Sequence, residues 1–157
     1  MSMRVIWILL VVIFSASLTK GIDVLLRNSS TDRLLFEGAG VGLLFWVIMP
    51  LYLISLAIAL WYLWYPSELR YRIAQIAVIL GVIHSSIESA ISLNNPELLK
   101  EAYIASRTAR GLRVHEDLLR YMSNPLTHLL PLVISIVLGV VSLFLLHQFK
   151  KGQRSLS

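Results

Sequence analysis

IAQIAVILGVIHSSIESAISL, residues Ile73 to Leu93, holds one formally charged side chain, Glu88, near its middle, with His84 one turn before it. At about 1.5 Å per residue this stretch reaches roughly 31 Å, close to the ~30 Å thickness of a bilayer's hydrocarbon core. It reads as a membrane-spanning helix that carries a carboxylate. A charge in hydrocarbon is costly, so such a residue is expected to face the interior of a helical bundle, find a partner and mark function.

Three more apolar runs flank this one. Arg4 precedes Val5 to Thr19, a basic start and apolar core like that of a secretory signal. It is read here as a first transmembrane helix reaching Leu26 (residues 5–26), with Lys20 snorkelling to the interface or pairing with Asp23. Residues 38–65 are uncharged and too long for an untilted span, so a tilt or a kink at Pro50 is expected. That run ends in Trp61, Tyr62, Trp64 and Tyr65, an interfacial aromatic belt, before Pro66 and Ser67 break the helix. A short turn through Glu68 and Arg70 leads into the third span, at about 72–93. The fourth covers 125–147, with Asn124 as N-cap and Pro125 as first helical residue.

Composition agrees. The chain is 57% hydrophobic and 15% charged, with mean hydropathy +0.74, against about 45–50% and about 25% for soluble domains. Cysteine is absent, which excludes disulfides, thiolate metal sites and thiol redox chemistry. The fold class is therefore an all-α integral membrane protein: a four-transmembrane-helix bundle forming one domain over residues 1–157. Between the third and fourth spans lies an extramembrane amphipathic segment, about 95–122. Asn95-Pro96-Glu97 starts it, and Leu98, Ala102, Ala105, Ala109 and Leu112 recur at helical spacing. Gly111 should end that helix, with a second short turn over His115 to Met122.

Four spans put both termini on one side. That side carries Arg4, Arg70, Arg72, Lys150, Lys151 and Arg154, six basic residues against eight on the other. The six lie close to membrane ends, where the positive-inside rule is strongest. The expected location is the bacterial cytoplasmic (inner) membrane with both termini cytoplasmic. A formal charge of +5 here reports on topology and not on nucleic acid.

Projected at 100° per residue, Ala74, Ala77, His84, Ser85, Glu88 and Ser92 fall within about 60° of Gly81, with Ile76, Ile79, Ile83 and Ile87 opposite. His128, Pro131, Ser135, Gly139 and Ser142 make a matching stripe on the fourth span. Small stripes let backbones approach, so these two helices are expected to pair antiparallel, with the isoleucines facing lipid. His84, Glu88 and His128 would then lie at similar depths. That set suits a divalent metal, or haem with His84 as an axial ligand, or a proton or ion path through Glu88. The alternative is structural: Glu88 as a polar group neutralised by His84 or Lys20, and His128 at headgroup level.

Weaker signals remain. Gly38-Ala39-Gly40-Val41-Gly42 lacks the GK[ST] ending of a phosphate loop and reads as helix packing. Asn28-Ser29-Ser30 matches a glycosylation sequon, a match expected often by chance. Arg107, Arg110 and Arg113 form a basic row suited to headgroups or to a docking partner. No Ser-His-Asp set, HExxH motif or nucleotide fingerprint occurs. The leading functional expectation is a non-catalytic subunit or scaffold of a larger membrane complex, in contact with the lipid bilayer and with other membrane subunits or copies of itself.

Overall fold

The structure, a computed structural model, describes residues 2–122 and 124–154. The side chains of Pro125 and Arg154 lie outside the description, so the basic flank is seen only through Lys151. The described residues form seven helices and no strand. Four are long and apolar enough to cross a membrane: α1 (Met3–Leu26), α3 (Gly42–Trp64), α4 (Glu68–Asn94) and α7 (Pro125–Arg154). The others are short: α2 (Thr31–Gly38), α5 (Pro96–Ala109) and α6 (Glu116–Met122).

The long helices pack in the cyclic order α1–α3–α4–α7, with α7 returning to α1. The start of α1 and the end of α7 lie at one end of the bundle. Met3 rests against Gly152, and Lys150 pairs with Glu68 at 2.7 Å. Ile6, Leu10 and Phe14 of α1 interlock there with Leu56 and Tyr62 of α3, Tyr71 of α4, and Leu146 and Phe149 of α7. Trp7 closes the α1–α3 seam, donating its indole N–H to the Leu63 carbonyl at 3.2 Å and meeting Trp64 edge to face. The short helices gather at the opposite end, where α5 lies across α2 and α6 links α5 to α7.

Several boundaries move from where the sequence places them. The long run over 38–65 is divided. Gly38 closes α2, and Gly40, at φ +74°, turns the chain before α3 begins at Gly42. A positive φ is easy only for glycine. The remaining 23 residues of α3 reach about 34 Å, so the turn removes the excess length that suggested tilt. Pro50 is accommodated inside one continuous helix. At the other break, Ser67 caps α4, its hydroxyl accepting from the Arg70 N–H at 3.3 Å, so the helix starts at Glu68 instead of residue 72. Asn95 caps α5 in the same way through the Leu98 N–H. Gly111, at φ +64°, ends that segment as its position suggests. Asn124 accepts from the Leu126 N–H at 3.1 Å and starts α7.

The most consequential element missed in the sequence is α2. Ser30 caps it by accepting from the Arg33 N–H, and Leu35 and Phe36 are fully buried against the bundle. A serine cap, Asp32 in the first turn and the Leu34-Leu35-Phe36 run were the available signals. Its place on the bundle brings Asp32 toward α1 and α4.

Candidate functional site

The polar stripe of α4 lies inside the protein. Ala74 and Ala77 are fully buried, and His84, Ser89 and Ser92 nearly so, while Ile76, Ile79 and Ile83 are exposed. Ile87 departs from that division. It packs against the cluster of Val24, Phe36, Phe45 and Met49, because α2 and the start of α3 cover that side of α4.

α4 and α7 do pack, but not stripe to stripe. Gly139 faces Val82: a Cβ built there would lie 2.7 Å from the valine methyl. Gly81 faces the ring of Tyr52 on α3 at 3.1–3.3 Å. Each glycine therefore receives a large side chain from a neighbouring helix, and the two do not meet. Ser135 is half-buried beside Gly139, and Ser85 lines the same interior space as Gly81.

His84, Glu88 and His128 do not converge. Among the described residues no three His, Asp or Glu side chains are placed to hold one metal ion. The His128 ring, 6% exposed, donates from Nε2 to the Met122 carbonyl at 2.8 Å. Thr127 donates to the Tyr121 carbonyl at 2.7 Å. Both side chains fasten α6 to the first turn of α7. Depth along the helix, the basis for grouping His128 with Glu88, says nothing about the direction in which each ring points.

His84 is held differently. Its ring stacks on Phe36 at 5.3 Å, nearly parallel, with Phe45 at 6.3 Å. Nε2 is buried and has no hydrogen-bond partner. A macrocycle could reach that nitrogen only by displacing the packing around it.

The groups that do gather are Lys20 of α1, Asp32 of α2, and His84, Ser85 and Glu88 of α4. All line one crevice of about 690 Å3. No ion pair within 4 Å joins Lys20, Asp32 or Glu88 to any partner among the described residues. The pairing considered for Lys20 does not form: Asp23 binds Arg27 one turn on. Sequence reasoning named Lys20 and Glu88 but not Asp32, because Asp32 reaches the group only through the unforeseen α2.

The crevice changes character along its length. Its charged end lies toward the short helices. From Glu88 to Ala77 it follows α4 for eleven residues, about 16 Å. Its far walls are mainly apolar, among them Phe14, Leu56, Val78 and Leu138, with the buried Ser142 beside them. The terminal cluster of α1, α3 and α7 closes that end, so no charged relay continues through the bundle among the described residues.

The arginine row is in part structural. The Arg107 guanidinium donates twice to the Arg113 carbonyl, at 2.9 and 2.7 Å, and Arg110 donates to the Ser106 carbonyl at 3.1 Å. These bonds tie the end of α5 to the following turn and leave Arg110 and Arg113 on the exposed surface.

What the fold and crevice define is an all-helical protein with four helices of membrane-spanning length and apolarity. The chain matches no protein-family model, no curated protein and no solved structure.

Proposed function

We propose that the chain is a four-span integral membrane protein that serves as a non-catalytic subunit or scaffold, and that its functional surface is the crevice between α1 and α7. The observation that supports this is the set of Lys20, exposed, and Asp32 and Glu88, half-buried, which line one cleft without an ion pair among the described residues. Charges held inside a helical bundle are normally paired, and those left available usually mark a binding site. The crevice volume lies within the range of about 300–1,000 Å3 typical of ligand pockets. The apolar closure at the terminal end argues for a site that holds an occupant over a path that conducts ions.

In this reading the membrane is the bacterial cytoplasmic membrane, with both termini and the α3–α4 turn in the cytoplasm and α2, α5 and α6 outside. Arg110 and Arg113 then face headgroups or a partner subunit across the outer surface. Single cysteines replacing Ser2 and Arg110 in this cysteine-free chain test the orientation. The expected result is labelling of position 110 from outside intact cells and of position 2 only after the inner face is opened; the reverse pattern inverts the topology.

A photoreactive side chain tests the crevice itself. Placed at position 134, which lines the crevice, it should capture a discrete adduct in intact membranes. Placed at position 140, on the exposed opposite side of α7, it should give only diffuse lipid labelling. Equal labelling from the two positions would remove the crevice as the functional surface.

A further inference from the structure

We propose that the crevice is a binding site for a single-chain amphiphile whose polar head is a primary ammonium. This inference rests on the reading of the crevice as the functional surface and names the chemistry of its occupant.

Three observations carry it. The first is length. The crevice follows α4 for about 16 Å, half of a ~30 Å hydrocarbon core, with its charged groups toward one membrane face and its apolar walls toward the midplane. One acyl or alkyl chain in one leaflet has the same extent and the same polarity gradient. The second is access. α1 and α7 are joined at the terminal end by Ile6, Leu10, Leu146 and Phe149, yet further along both helices line the cleft instead of closing it. Leu130, Ile134 and Leu138 lie on that opening and are 61%, 49% and 49% exposed. A chain could pass between the two helices directly from the bilayer.

The third is charge. Two carboxylates, Asp32 and Glu88, stand against one ammonium, Lys20, which leaves a formal excess of one negative charge. An ammonium head restores neutrality and supplies three N–H donors, which two carboxylates and the Ser85 hydroxyl can accept. A carboxylate head would bring a third negative charge into the same space. The volume, about 690 Å3, suits one chain and a small head. An ethanolamine-headed lipid would bring its phosphate as a third negative charge, so the ammonium belongs to a long-chain amine without a phosphate.

Native mass spectrometry of the full chain, released from a nonionic detergent, provides the test. The probes are dodecylammonium, dodecanoate and lysophosphatidylethanolamine. The expected result is one dodecylammonium per chain, bound at least about tenfold more tightly than dodecanoate, with Glu88→Gln and Asp32→Asn each weakening it about tenfold. Ile134→Trp, which fills the opening, should abolish it. Circular dichroism and size exclusion identify any variant that fails to fold, and the two carboxylate variants are independent of one another. Lysophosphatidylethanolamine, which carries a phosphate beside its ammonium, should bind more weakly than dodecylammonium, and tighter binding would overturn the proposal. Dodecanoate binding as tightly as dodecylammonium would overturn it, and so would dodecylammonium binding indifferent to both carboxylates. If position 134 captures a partner polypeptide and no probe binds, the amphiphile is refuted while the crevice reading stands. If position 134 captures nothing and no probe binds, both fail.

Discussion

The two ends of the bundle treat charge in opposite ways. At the terminal end, Glu68 binds Lys150 at 2.7 Å and lies 3.7 Å from Arg72, and the Lys150 ammonium sits 3.9 Å from the Tyr71 ring centre. Arg70 covers Trp61 at 4.0 Å. Beneath these contacts lies a continuous packed core. At the other end, Lys20, Asp32 and Glu88 line an open cleft with no ion pair among the described residues. Paired charges at an interface orient a helix and need no further explanation. Unpaired charges inside a bundle reduce stability, and a site kept for binding is where such a cost is commonly found.

The contrast can be tested by substitution, and the largest effect belongs to the closed end. Phe149→Ala removes a 4%-exposed ring that meets Tyr62 edge to face at 5.7 Å. It should lower stability by about 3 kcal/mol in detergent unfolding, mainly through the cavity it leaves. An unchanged unfolding midpoint would show that this end is not the structural anchor. Next comes the α4–α7 contact. Gly139→Leu must displace Val82, and overpacking of this kind should cost about 2 kcal/mol by the same measurement. Ile79→Leu, on the exposed face of α4, is the control and should be neutral.

The crevice should respond with the opposite sign. Glu88→Gln removes an unpaired, half-buried charge and keeps its shape, so stability should stay level or rise by about 1 kcal/mol. A loss as large as that of Gly139→Leu would mean that Glu88 has a structural partner, and the comparison between the ends would collapse. The smallest effect is expected at the paired, exposed charge: Glu68→Gln should cost only about 0.5 kcal/mol and less in high salt. If it costs more than Phe149→Ala, charge and not packing holds the terminal end together.

Local patterns in the sequence already determined much of this molecule. Apolar runs of adequate length mark the four long helices, because a helix satisfies its own backbone hydrogen bonds wherever its side chains lie. Caps at Asn95 and Asn124 are legible because a short polar side chain bonds the backbone two or three residues on. The buried stripe through Ala74, Ala77 and His84, opposite Ile76 and Ile79, follows from helical periodicity. Glu88 stood out because one charge in a long apolar run is chemically conspicuous.

Only the tertiary structure decided which of those polar groups meet. Periodicity gives the face on which His128 lies, but its ring is committed to the Met122 carbonyl. Gly81 and Gly139 lie on matching stripes, yet each faces a bulky side chain, since the packing of two helices depends on what a third inserts between them. Asp32 enters the crevice from α2, a helix of eight residues too short to stand alone and held by Leu35 and Phe36 against the bundle. Contacts between residues far apart in the chain depend on rotamers, on crossing geometry and on such docked elements. None of these is encoded in a local window of sequence, and so the crevice became visible only when α1, α2, α4 and α7 were brought together.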